Sequence, residues 1–297
     1  MLRAPMGREA TMGGGPALAR RLGTADAVVI GLGSMIGAGV FATFGPAAQA
    51  AGSGLLVGLA LAAVVAYCNA TSSAQLAAAY PTSGGTYVYG RERLGDWWGF
   101  LAGWGFVVGK TASCAAMALT FAAYTVPTGW QRPVAVAAVV ALTAVNYRGV
   151  TRTARLTRLI VVVVLGCLTV AVIASTAGGA GSVGLSGDVW TGGWYGVLQS
   201  GGLLFFAFAG YARIATMGEE VREPARTIPR AILIALGGTV AVYVVVAVAV
   251  LSVLGPDAVA ATTAPLSEAV EAGSWSWAEP VVGVGAALAT LGALLAL

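Results

Sequence analysis

An all-α integral membrane protein is expected from three features of this chain. Hydrophobic residues make up 58% of the 297 positions and charged residues only 9%, more apolar surface than one water-soluble core of that size can bury. The apolar residues gather into eight segments that meet or approach the about 20 residues of a bilayer-spanning helix. The charges fall between those segments, with bases at every second connection. Composition also removes several function classes. The chain has no histidine, and with it go the commonest general base, metal ligand and proton shuttle. Cys68, Cys114 and Cys167 stand singly in separate apolar runs, outside any paired metal or redox spacing. A net charge of +4 does not point to nucleic acid, because the bases mark loops instead of clustering on one face.

Residues 1–23, with MGGGP inside, read as a flexible tail ahead of the first span. The spans are expected over roughly 25–50, 54–79, 97–126, 132–147, 156–177, 194–217, 229–254 and 279–297. Arg3, Arg8, Arg20 and Arg21 precede the first; Arg91 and Arg93 follow the second; Arg148 to Arg158 join the fourth and fifth; Arg222, Arg226 and Arg230 follow the sixth. The intervening loops hold Arg132 as their base, with Asp188, Asp257, Glu268 and Glu271 as acids. The positive-inside rule therefore places the N-terminus in the cytoplasm. Between the second and third spans, residues 81–98 are amphipathic enough to lie at the membrane interface, with Trp97 and Trp98 anchoring the far end at headgroup level. Residues 255–279 read as an external loop whose middle forms a short helix starting near Pro265, placed to cover the molecule's interior from outside.

Two spans are interrupted at their middles, in GLGSMIGAGVF (31–41) and in FFAFAGYARIATMGEEVREP (205–224). A break inside a spanning helix strips backbone groups of their helical partners, which is tolerable where they line a cavity or bind something polar. In the first, Gly37 and Gly39 flank Ala38 and weaken the helix at one point. A half-helix N-terminus there aims free amides at an anion such as a carboxylate; the alternative is a glycine-lined packing face. The second break carries Phe206, Phe208 and Tyr211 around Ala209 and Gly210, as gating aromatics or as packing. Lys110 lies thirteen residues past Trp97, about 20 Å along a helix, deep enough to need a cavity or a partner. No acidic residue occupies the middle of any span. A neutral or anionic cargo fits that better than a cationic one.

Four runs, IGLGSMIGAGVFATFGPAAQAAG, YPTSGGTYVYGRERLGDWWGFLAGW, NYRGVTRTARLTRL and FFAFAGYARIATMGEEVREPARTIPRAI, stand in this order. Together they resemble the amino acid–polyamine–organocation (APC) family of amino acid permeases, over nearly all of residues 24–297. The resemblance implies the inverted-repeat fold of leucine-transporter-like proteins, five helices plus five, commonly followed by two more. The first repeat would cover about 24–178 and part of the second about 194–297, so about eight of ten to twelve helices are expected. The last apolar segment reaches Leu297 without a basic stop or a tail, and a truncation within helix eight is expected.

The resemblance further implies a secondary active transporter, not an enzyme, that moves amino acids, neutral ones first, across the cell membrane by alternating access. Rocking of helices one, two, six and seven against the remainder would expose the cargo to each side in turn. Substrate would sit at the unwound centres of the first and sixth helices. By position, the amides of Ala38 and Gly39, beside Gly37, would hold its carboxylate; the carbonyls of Met35, Phe206 and Ala209 would receive its ammonium. Ser34 would line the pocket and Phe206 would be the aromatic gate, with Phe208, Gly210 and Tyr211 completing the second stretch. This chain departs from relatives of cationic specificity, which carry acids where Ala212 and Gly109 stand here, and from some proton-coupled members, which place a lysine where Val164 stands. The coupling ion, proton or sodium, thus stays open, and no cofactor or metal is implied. The run GKTASCAAMALTFAAY resembles helix three of the exchanger branch that pairs with a glycoprotein heavy chain, where an arginine stands at the Lys110 position; Lys110 would sense protons or fix an anion. The implied partners are a small amino acid and the bilayer, with a homo-oligomer left open. Two other readings remain: an inactive or assembling membrane fragment, and an exchanger of polyamines or cationic amino acids whose acids lie in further segments.

Overall fold

Hydrocarbon offers no partner to a peptide group, so an apolar chain of this composition satisfies its backbone internally, as helices. The computed structural model describes residues 22–80, 84–148, 154–177, 190 and 192–296. Most of the expected tail, residues 81–83, Arg152, Asp188 and Leu297 lie outside them. Among the described residues the helices are α1 (Thr24–Met35), α2 (Ala38–Ala42), α3 (Phe44–Ala51), α4 (Leu55–Ala79), α5 (Thr86–Leu94), α6 (Asp96–Thr125), α7 (Gln131–Tyr147), α8 (Ala154–Thr176), α9 (Gly193–Phe208), α10 (Ala212–Ala215), α11 (Pro224–Ala261), α12 (Pro265–Ala272) and α13 (Glu279–Ala296). The protein is an all-α, multi-pass membrane protein.

Seven stretches are long and apolar enough to cross a bilayer, against eight expected. The difference is α7, which forms in the expected place but runs for 17 residues. That is about 25 Å, short of the roughly 30 Å hydrocarbon core. Further adjustments concern ends. The first and second spans meet at Gly52, whose φ of 56° suits a glycine. The seventh span begins at Pro224 instead of 229, because a proline at the first helical position loses no ladder bond. It kinks at Gly255 (φ 76°) just before Pro256. The interfacial segment forms α5, with Tyr89 turned inward and its hydroxyl donating to the Ala215 carbonyl at 3.4 Å. Trp97 and Trp98, at the start of α6, are exposed. The external loop forms α12 from Pro265 as expected, and it packs on α8, α11 and α13.

The helices pack as two groups. α4 packs against both α9 and α11, α3 lies on α9 and α11 and α1 on α11, whereas α13 packs between α6 and α8, with α7 beside α6. α1 also touches α8 and so lies along the seam. Small residues permit the close approaches: the buried stripe of α4 is Gly58, Ala62, Ala66, Ala70, Ala74 and Ala77. Large apolar side chains such as Val64, Trp104, Val162 and Ile234 point outward, as a lipid-facing surface requires.

Candidate functional site

The first span is interrupted one to two residues earlier than its glycines suggested. α1 ends at Met35 and Ile36 closes it, donating its N–H to the Leu32 carbonyl. Gly37 then leaves helical geometry, with ψ at −116°, and Ala38 and Gly39 open α2. The N–H groups of that first turn lie outside the helix's own ladder. Beyond it the chain stays helical through Thr43, whose N–H and hydroxyl both bond the Gly39 carbonyl.

The sixth span is tightened, not unwound. Ala209–Tyr211 form a 3-10 turn between α9 and α10, and Phe208 through Ala212 keep right-handed helical dihedrals. The Phe206 carbonyl accepts the Ala209 N–H, and the Ala209 carbonyl accepts from Ala212. Both therefore already hold one hydrogen bond and offer only a second lone pair. Free carbonyls were expected here; the i+3 bonding of the 3-10 turn takes them up.

The two stretches do meet. Gly210 lies so close to α1 that a Cβ placed on it would stand 2.5 Å from the Ser34 carbonyl and 2.7 Å from the Met35 nitrogen. Gly39 faces Ala207 in the same manner, with a Cβ there 2.7 Å from the Ala207 Cβ. Gly37 faces Ala293 of α13. The glycines of the first span thus serve both readings at once: they allow the crossing, and they place the break at it. Ser34 turns its hydroxyl back to the Ile30 carbonyl at 2.8 Å.

The three aromatics of the second stretch diverge. Phe206 packs across the seam against a buried cluster built by α6, α7 and α13 that includes Met117, Ala135 and Ala293, on which Cys114 also packs. Phe208 is fully buried against Tyr243 of α11, ring centroids 5.2 Å apart. Tyr211 is buried, with its hydroxyl bonded to Ser73 of α4. Only Phe206 of the three is placed to gate anything between the two helix groups.

Tyr243 is the residue that sequence reasoning missed. Its hydroxyl, wholly buried, hydrogen-bonds the Met35 carbonyl and reaches the Ala207 carbonyl at 3.1 Å. It thereby occupies the orphan carbonyl at the end of α1 and ties the first, sixth and seventh spans together. The signal was present: a lone tyrosine in the apolar run GGTVAVYVVVAVAV must find its hydroxyl a partner.

Lys110 lies half-buried on α6, its ammonium 5.5 Å from the Phe106 ring centroid. It is one turn from Cys114, which packs on the same cluster as Phe206, and Arg213 is close enough to repel it. No carboxylate pairs with it among the described residues. Val164 lines a small apolar cleft at the break with Gly33, Ile36, Gly37, Ile160, Val161 and Ala289. On the far side, α12 closes over this region: the Tyr124 hydroxyl donates to the Phe41 carbonyl at 2.9 Å and lies 3.4 Å from the Leu266 N–H.

Over residues 22–297 the sequence matches the amino acid permease family. The chain belongs to this family. Among relatives of this permease, an uncharacterized transporter of Mycobacterium tuberculosis is 66% identical over 285 residues, covering 94% of this chain and 63% of the relative. The branched-chain amino acid permease BcaP of Bacillus subtilis is 26% identical over 306 residues, 94% of this chain and 64% of the relative. The chloroplastic cationic amino acid transporter 7 of Arabidopsis thaliana is 26% identical over 310 residues, 95% and 53%. The permease thus spans between about half and two thirds of the length of these relatives.

Proposed function

We propose that this chain carries the binding site of a secondary transporter that moves neutral amino acids across the cell membrane by alternating access, its N-terminus in the cytoplasm. The observation that carries the reading is the crossing of the Ile36–Gly37 break by Gly210. One α-amino acid needs an anion site and a cation site a few ångströms apart. The first turn of α2, at Ala38 and Gly39, supplies N–H groups and the positive end of a helix dipole for the carboxylate. The Met35 carbonyl, with the spare lone pairs at Phe206 and Ala209, accepts the ammonium once the Tyr243 hydroxyl yields Met35. Phe206 separates this point from the seam toward α6 and α13.

Neutral side chains fit because no acid stands at Gly109 or Ala212, and an unpaired cation in low dielectric is expensive. Movement of the α1–α4–α9–α11 group against the α6–α8–α13 group would expose the crossing to each side in turn. In proteoliposomes holding the protein, labelled leucine should accumulate, and unlabelled alanine or valine should compete. Leucinamide and N-acetyl-leucine, each lacking one charge of the zwitterion, should not. Competition by either at the level of leucine itself would discard the two-ended clamp.

A further inference from the structure

At its basic end the first span carries an arrangement that the binding site does not use. Asp26, in the first turn of α1, forms an ion pair with Arg158 of α8. Its side chain is 19% exposed and that of Arg158 is 54% exposed. The second carboxylate oxygen accepts the Gly23 N–H at 3.2 Å. Arg222, in the loop between the sixth and seventh spans, lies within electrostatic reach of the same carboxylate. That loop is fastened to the start of the first span through the backbone. The Leu22 N–H donates to the Glu220 carbonyl at 3.1 Å, and the Arg222 N–H donates to the Leu22 carbonyl at 2.9 Å. The Thr227 hydroxyl holds the Arg222 carbonyl at 2.8 Å and so ties the loop to α11.

Two guanidinium groups therefore address one carboxylate from opposite sides of the seam. Arg222 is bound to α1 by the Leu22–Val221 bridge and must move with it, whereas Arg158 belongs to the α6–α8–α13 group. We propose that Asp26 is a switch carboxylate: it closes the cytoplasmic path by pairing with Arg158 and opens it by passing to Arg222. The inference rests on the transport reading above for the meaning of open and closed. A half-exposed ion pair is weak enough to break on every cycle. A second cation travelling with the carboxylate spares it from being left unpaired at a partly buried position. Two turns inward the same seam is sealed by apolar contact, where a Cβ on Gly33 would lie 3.0 Å from Val161. Parting α1 from α8 thus breaks one ion pair and a thin apolar contact.

Thiol accessibility tests this without any substrate. With Cys68, Cys114 and Cys167 replaced by alanine, Ile30→Cys places a thiol one turn inward from Asp26, to be labelled by an impermeant maleimide from the cytoplasmic face of inverted vesicles. Adding Arg158→Gln should raise the labelling rate about two- to fivefold. Adding Arg222→Gln should lower it, because the open state loses its partner. The double exchange Asp26→Arg with Arg158→Asp restores the closing pair but sets two arginines together in the open state, so it should label no faster than the parent. Each variant is compared only where it elutes as a single detergent-solubilised peak and labels fully once denatured. Arg158→Gln labelling at the parent rate, or Arg222→Gln labelling faster than the parent, would overturn the switch. This pattern without leucine uptake would instead overturn the cargo assignment and leave the switch standing.

Discussion

Tyr243 concentrates the energetics of the site in one hydroxyl. It is fully buried and bonded to Met35 and Ala207, while its ring packs on Phe208 and, edge-on at 6.4 Å, on Phe44. Tyr243→Phe keeps that packing and removes only the oxygen, leaving the buried Met35 carbonyl without the hydroxyl that it accepts from. Such a loss costs about 1–3 kcal/mol. The thermal unfolding midpoint of Tyr243→Phe in detergent should therefore fall below that of wild type. Its leucine affinity should not fall in step, since the Met35 carbonyl that the ammonium needs is then no longer occupied by the protein. A midpoint equal to that of wild type would show that the hydroxyl is not holding the crossing together. The same residue shows where sequence reading stops. The chain shows that a buried tyrosine needs a partner, but which of many carbonyls it finds depends on how three separate spans pack.

At the scale of elements, the crossing of the first and sixth spans depends on a missing methyl group. Gly210→Ala would press a Cβ onto the Ser34 carbonyl, and backbone cannot swing aside as a side chain can. The two spans must separate or rotate, which misaligns the groups that the proposed binding of a zwitterion brings together. Gly210→Ala should abolish leucine uptake, whereas Gly202→Ala, two turns earlier in α9 with open space around it, should transport as wild type does. Equal uptake by the two variants would mean that the close approach is dispensable. The glycine pattern of residues 31–41 placed the first break to within one or two residues, because glycine acts locally on the helix. The second stretch was legible as a special place, yet its geometry was not. A 3-10 turn advances three residues per turn instead of 3.6, which rotates everything beyond Ala209. So the sequence could name Phe206, Phe208 and Tyr211 but not tell the one facing the seam from the two facing α11 and α4.

Over the whole molecule, the membrane class and the helices were legible because they follow from hydropathy and length, the short α7 included, since its apolar run is framed by Arg132 and Arg148. The division into two helix groups was not legible in composition or periodicity, being a property of which faces meet. It does bear on the protein's sole lysine. Lys110 lies on α6 one turn from Cys114, which packs on the same cluster as Phe206, with Arg213 near it and no carboxylate paired with it among the described residues. Arg213 lies seven residues past Phe206 in the direction of the basic end, and Lys110 stands within electrostatic reach of it. A positive field held in a low-dielectric surrounding is poorly screened, so under the proposed transport it acts on any cargo that passes Phe206 toward the basic end of the helices. A neutral zwitterion feels little net force there, arginine or lysine as cargo is repelled, and glutamate is attracted. Lys110→Met removes half of the field while keeping the length and apolar stem of the side chain. In proteoliposomes, the inhibition of labelled leucine uptake by arginine relative to that by glutamate should shift toward arginine in Lys110→Met, with uncompeted leucine uptake nearly unchanged. An unaltered arginine-to-glutamate ratio would remove Lys110 from selectivity. Altered leucine uptake with no change in that ratio would make it a structural residue of α6.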